Sequence, residues 1–366
     1  MYTVTESILD LARWAPSGDN TQPWRFEILN DWHVVVHGFD TRDHCVYDLD
    51  GYGSHLALGA LLETLTIAAS GQNLYARCKR RSDTSENLPL FDVVLEPAPE
   101  RKADALLSSI TRRTVQRRPM PTTPLSTTQK HILETSVAEQ HCALQFFEPF
   151  GARLSLAKLL YRNAKLRLTM PEAYEVHREI IQWRARHSPD KVPDQTLGVD
   201  PITLLLMRWA MRSWRRIDFL NTYLGGHILP RIEMDFIPGL ACAAHFVVFA
   251  RDVPRGIDDH VAAGRAMQRL WLTATSLGLN LQPEMTPLIF ARYVREGRRF
   301  TRVANIEKAA VRLANGLGEI LGSNIQKAVF MGRIGGGAPP LSRSLRLPLA
   351  ELLVKPALDL PTGSNG

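Results

Sequence analysis

The chain reads as an α+β protein built from two halves joined in one polypeptide, a mixed sheet with flanking helices. Three observations carry that reading. Short strand-like runs, such as 25–29, 91–95 and 245–251, alternate with long helix-like stretches along the whole chain. At 366 residues the chain exceeds the usual size of one domain, so two lobes are expected. Two distant helices, 54–71 and 260–278, can also be laid over one another. Leu65-Thr66, Gly71 and Asn73-Leu74 then fall on Leu272-Thr273, Gly278 and Asn280-Leu281.

Taken in order, Ile8, Leu9, Leu11 and Ala12 mark a short apolar-periodic segment. Residues 25–29 and 33–37 read as two strands joined by a tight turn at Asn30-Asp31. After a turn-rich patch, Ser54 or His55 opens a helix to about Ser70, with Leu58, Leu61, Leu62, Leu65 and Ala69 at helical spacing and Gly71 as C-cap. An edge strand (75–81) and a stronger strand (91–95) follow, ended by Pro97-Ala98-Pro99. A boundary near residue 100 separates a first half, 1–100, from a second, 101–366.

The second half opens with a short helix, 103–110, that runs into the arginine-rich stretch 111–118. Ser126 is a good N-cap for a helix over 127–138, and 144–148 is a strand. Residues 151–230 form an insert that reads as a lid or interface. Its first part, 151–186, is helical, and 201–220 is amphipathic, with Met207, Trp209, Met211 and Trp214 among arginines. A buried strand (245–251) and a helix capped by Gly278 come next. A helical region with glycine breaks (308–330), a Gly-Pro-rich loop (335–340) and a helical turn from Pro348 complete the order. Residues 361–366 read as disordered.

Composition excludes several classes. Apolar content of 45% and charged content of 22% are those of a globular protein, and no apolar run approaches the ~20 residues that span a bilayer. No basic region precedes an apolar core at the N-terminus, so no secretory signal is expected. Cys45, Cys78, Cys142 and Cys242 lack metal or disulfide spacing and fit a reducing cytoplasm; no metal site is expected. The net charge of +7 is compatible with nucleic acid, an anionic cofactor or a basic surface.

The segment between Pro16 and Pro23 is the richest in chemistry. Two prolines stop helix and strand alike, and Ser17, Gly18, Asp19, Asn20, Thr21 and Gln22 fill the space between with short polar groups. Such a braced loop suits in-plane hydrogen bonding to a planar polar ligand.

Ala15-Pro16-Ser17-Gly18-Asp19-Asn20-Thr21-Gln22-Pro23-Trp24 closely resembles the Ala-Pro-Ser-x-x-Asn-x-Gln-Pro-Trp loop of the nitroreductase family of flavin enzymes. The resemblance implies a nitroreductase-like fold and FMN as cofactor. Typical members are homodimers with each FMN between subunits, and this chain resembles two such halves fused about a pseudo-two-fold axis. Its layout is most similar to the long, fused branch that includes Acg-like and MoeY-type proteins. The proline-bounded loop lies only in the first half and the arginine-rich entry only in the second, which implies one complete site.

By the same resemblance, Pro16, Ser17, Gly18, Asn20 and Gln22 approach the flavin from the first half. Arg112, Arg113 and Thr114 resemble the family's Arg-x-Ser phosphate motif, with threonine for serine, and Arg346-Leu347-Pro348-Leu349 resembles its C-terminal Arg-x-Pro-Leu. Arg117 or Gln116 is implied at the N1–O2 edge, where positive charge stabilises the reduced ring. Pro283 and Glu284 stand where the family presents a backbone N–H to N5, although Met285 replaces its glycine. The implied activity is ping-pong reduction of an electron-poor small molecule (nitro compound, quinone or enone) with NADH or NADPH, needing no catalytic side chain. Two alternatives stand beside it: a flavin-sequestering protein whose 201–220 segment caps the ring, and a basic nucleic-acid scaffold. The preferred reading has a small-molecule substrate, no nucleic-acid or membrane partner, and a fused monomer or homodimer.

Overall fold

The computed structural model describes residues 2–354. Helix α1 (Val4–Ala12) is closed at its start by a reciprocal capping box between Thr3 and Glu6. The hairpin β1 (Trp24–Asn30) and β2 (His33–Gly38) leads to α2 (Tyr52–Ser70), then β3 (Leu74–Arg80) and β4 (Leu90–Pro97). These strands form one antiparallel sheet in the order β1-β2-β4-β3. The second series is α3 (Thr127–Ala138), β5 (Cys142–Phe147), β9 (Ala244–Ala250), α10 (Ile257–Ser276), β10 (Asn280–Pro283) and β11 (Ala328–Gly335). Its sheet, also antiparallel, runs β10-β11-β9-β5. In each series the strands therefore neighbour one another as first, second, fourth and third, with the long helix between the second and third.

The molecule is α+β, but the expected mixed sheet is corrected. Both four-stranded sheets are wholly antiparallel. Parallel pairing among the described residues is confined to single bridges and to two-residue ladders. The ladders join β6 (Ile181–Gln182) to β8 (Val192–Pro193), and β7 (His187–Ser188) to β12 (Arg343–Ser344). The β7–β12 ladder ties the insert to the last strand among the described residues.

The two long helices cross at glycine. A side-chain carbon on Gly59 would run into the Val261 carbonyl oxygen, and one on Gly264 into the Leu56 carbonyl oxygen. Only hydrogen at both positions lets the backbones approach this closely. The crossing pairs His55 with His260, 205 residues apart, and the same interval separates Leu56 from Val261 and Gly59 from Gly264. It also separates Asn73 (φ +55°) from Gly278 (φ +72°), the left-handed residues after each helix. The sequence overlay of Gly71 on Gly278 is therefore out of step with the packing by two positions, and Gly71 keeps helical φ.

Other differences have local causes. The helix expected over 103–110 is a single 3₁₀ turn, Leu107–Ser109. The helix expected over 151–186 breaks at Pro171 into α4 (Phe150–Thr169) and α5 (Pro171–Ile180), because proline cannot bond back along the helix. The 201–220 segment is two helices, α6 (Pro201–Ala210) and α7 (Trp214–Tyr223), followed by the short turns α8 (Ile228–Arg231) and α9 (Ile237–Leu240). Beyond α11 (Thr286–Arg295), α12 (Ala304–Leu321) stops at Gly322 (φ +61°). Residues 328–335, expected as helix and loop, are instead the inner strand β11. A short apolar run buried on both faces has no period to separate strand from helix. The last element among the described residues is α13 (Leu349–Leu352), and the disorder expected over 361–366 lies outside the described residues.

Candidate functional site

A cavity of about 340 Å³ opens where the two series meet, within the ~300–1,000 Å³ usual for small-molecule sites. The proline-bounded loop supplies one wall, and residues 113–117 and 342–346 another. The ends and flanks of α2 and α10 form an apolar middle, with Leu56, Ala57, Met267 and Trp271 joined by Phe330.

The loop is strained and braced. Asp19, Asn20 and Gln22 all hold positive φ (51°, 65° and 50°), at a cost of about 1–3 kcal/mol each for non-glycine residues. Ser17 accepts from the Gln22 N–H at 2.9 Å. Asn20 Nδ2 donates to the Pro189 and Lys191 carbonyls, and Gln22 Nε2 to Pro189. From the other side, Arg346 Nη1 donates to Asn20 Oδ1 and the Leu347 N–H to Gln22 Oε1, each at 2.9 Å. Asn20 and Arg346, expected on facing sides of one site, are directly bonded.

Three guanidinium groups gather beside this loop with no carboxylate partner among the described residues. Arg113 is 3% exposed; it donates to the Trp14 carbonyl, lies 4.6 Å over Trp271 and leaves Nε without a partner. Arg343 donates to the Thr111 and Arg113 carbonyls, and its Nε is also unpartnered. Arg346 Nε donates to the Ala15 carbonyl. Burial, reinforced by Arg346 and Arg343, holds the Arg113 pKa well below the ordinary guanidinium value. Burial, with Arg343 and Arg13, lowers Arg346 to about 9. Buried cations are normally paired, and among the described residues buried Arg113 and Arg346 and half-buried Arg343 have only carbonyls, an amide oxygen and one another. The arrangement calls for an anion.

The far end of the cavity has a different character. Tyr47 Oη meets His177 Nε2 at 3.0 Å, and burial together with Arg167 lowers the His177 pKa to about 3, so this imidazole is neutral. Arg167 is paired with Asp235 at 2.8 Å. Burial raises the Asp19 carboxyl to about 6 against the pull of Arg117 and Arg167. Arg117 donates to Thr196 Oγ1 and is lowered to about 10 by burial. A ligand with an anionic tail, a flat apolar middle and a hydrogen-bonding head matches this gradient.

Of the residues singled out in the sequence, Pro16, Ser17, Gly18, Asn20, Arg113, Thr114, Arg117, Pro283 and Arg346 line this one cavity. Three do not. Arg112 is exposed and donates to the Thr275 carbonyl, because adjacent residues of the turn point to opposite sides and Arg113 takes the inner one. Gln22 is fully buried behind the loop as a brace. Glu284 spends its N–H on the Met331 carbonyl at 2.8 Å and its carboxylate on Arg333 and His245, so that N–H is closed to a ligand. The suggested cap is corrected too. No residue of 201–220 lines the cavity; the insert contributes Arg167, His177, Val192 and Thr196.

Arg343, Asp19, Tyr47, Arg167 and His177 were not among the singled-out residues. Arg343 had a signal, its place one helical turn's spacing before Arg346. Asp19 lies within the proline-bounded loop itself; Tyr47, Arg167 and His177 had no signal, since neither motif nor period links positions so far apart.

No family model matches the chain, and no curated protein does. Among solved structures, a nitroreductase-like family protein from Bacillus cereus is similar over 69% of this chain and 97% of its own, at 12% identity and a TM-score of 0.35. A similarity of that size decides neither fold nor function.

Proposed function

We propose that the chain holds FMN in this cavity and acts as an NAD(P)H-dependent oxidoreductase on electron-poor small molecules such as nitro compounds, quinones or enones. The single observation that carries the reading is the trio of buried Arg113 and Arg346 with half-buried Arg343, which has no carboxylate partner among the described residues and leaves two Nε atoms unpartnered beside an apolar slot. A phosphate dianion supplies the missing charge and the acceptor oxygens that planar guanidinium groups fit. Thr114 and Ser344 add hydroxyl groups at the same wall. FMN, when bound, would supply reversible uptake of a hydride.

The chain's own residues account for the rest. Trp271, Met267 and Leu56 exclude water from the middle of the slot. Asn20 and Gln22 hold the strained loop in one shape before any ligand arrives, so binding does not have to order it. Arg117 offers positive charge where the reduced ring would need it. Tyr47 and neutral His177 offer a hydrogen-bonding pair at the acceptor end. The shared strand order of the two series, and the glycine crossing between their helices, support reading the chain as two fused halves. The fused-branch likeness rests on the sequence motifs alone.

A second reading, tight flavin holding with little turnover, is favoured by one observation. The segment 189–196 packs over the loop through Asn20 and Gln22 and lends Val192 and Thr196 to the cavity wall. The visible spectrum of the purified protein tests the cofactor. Flavin bands are expected, lost in an Arg113→Ala/Arg346→Ala variant and kept in Arg112→Ala. A colourless protein that takes up no added FMN would refute both readings. NADPH or NADH consumption with a quinone then separates turnover from holding.

A further inference from the structure

Helix α6 is turned inside out. Ile202, Leu205, Leu206 and Trp209 recur at the spacing of one helix face, which normally faces a core. Here that face is in solvent, with exposures of 73, 58, 56 and 45%. The side it buries holds Thr203 and Ala210.

Helix α7 buries no residue at all. Its Phe219 and Tyr223 are 54 and 73% exposed with ring centroids 5.2 Å apart, and the neighbouring Leu224 is 67% exposed. The two helices are pinned together by Arg216, which donates to the Trp209 carbonyl at 3.0 Å and lies 4.8 Å over its ring. The apolar surface is therefore a presented feature of a fixed hairpin.

Charge decides what covers it. The arginines at 208, 212, 215 and 216 flank the patch, and Asp218 is the only acid between Pro201 and Leu229. We propose that the α6–α7 hairpin docks on an anionic lipid bilayer. Leucine and isoleucine enter the acyl boundary, tryptophan and tyrosine suit the interface, and guanidinium groups reach out to lipid phosphates. A second copy is a poor occupant, because a two-fold contact would set these arginines against their own counterparts. No helix among the described residues is long and apolar enough to cross a membrane, so the contact is peripheral. The sequence reading expected no membrane partner because no run is long enough to span, and a peripheral contact requires no spanning run.

The test is sedimentation of the full chain with phosphatidylcholine vesicles, with and without phosphatidylglycerol. Partition onto the anionic vesicles is expected to exceed that onto neutral ones by about tenfold or more, and to weaken with added salt. Leu205→Glu/Leu206→Glu and Arg212→Glu/Arg215→Glu should each lose about tenfold of that partition. Both pairs lie at the surface, and unchanged circular dichroism and melting temperature verify their folds. Equal partition onto both vesicle types, no partition, or wild-type binding by either variant overturns the proposal. So does light scattering that finds a dimer dissociated by Leu205→Glu/Leu206→Glu. None of these readouts depends on a bound cofactor.

Discussion

Replacing Arg113 by methionine is expected to move two measurements in opposite directions. In the cofactor-free protein this guanidinium is buried, keeps one hydrogen bond at 3.0 Å and has Arg343 and Arg346 as its charged neighbours. Removing the charge relieves a desolvation penalty of roughly several kcal/mol. It forfeits the contact with Trp271, worth about 1–2 kcal/mol, and a charged hydrogen bond worth about 1.5–3 kcal/mol. Methionine keeps the length and fills the space, so the balance is a gain of about 1–2 kcal/mol, within the range for buried ions replaced by packed apolar groups. FMN affinity should move the other way. One lost charge-assisted phosphate contact costs about 2–4 kcal/mol, roughly thirtyfold to a thousandfold in Kd. Urea unfolding of the cofactor-free protein reads the first quantity, and quenching of FMN fluorescence reads the second. An unchanged Kd, or a loss of more than about 2 kcal/mol in stability, would make Arg113 a structural brace and remove the anion-site argument.

Two further outcomes are expected. Gly59→Ala forces a methyl group into the Val261 carbonyl and the Gly264 backbone, so a loss of about 2 kcal/mol, net of alanine's better helix propensity, should appear in a melting curve; an unchanged melting temperature would mean the crossing is not tight. Burial opposes a charge on His245, but Glu284 at 2.8 Å, with Cys242 beside it, raises its pKa from 6.5 to about 10. A pKa raised on folding contributes stability that is full below about 6.5 and lost as pH climbs through about 10, so unfolding free energy should fall across that window and the fall should flatten in His245→Gln.

The parts of the site that were legible in the sequence are those whose chemistry is local. The proline-bounded loop declares itself because proline and glycine act on their own backbone, and Arg346 was found by its motif. Arg112 was taken together with Arg113 because neighbours in a turn look alike in sequence, and only the direction of each side chain parts them. Glu284 was expected to offer an N–H that the β10–β11 region spends within the sheet. Strand β11 was read as helix and loop because burial on both faces erases the alternation that marks a strand.

By itself the sequence determined where backbone conformation changes: the loop between Pro16 and Pro23, the cap at Ser126 and the helix stopped at Gly322. Those are covalent and short-range effects, carried by each residue wherever the chain goes. The tertiary structure alone decided which arginines lose their water, which glycines let two helices touch, and which apolar stripe is left facing solvent. Burial and charge proximity are properties of pairs brought together from distant positions, and the bond between Asn20 and Arg346 spans 326 residues that only the folded chain brings back on themselves.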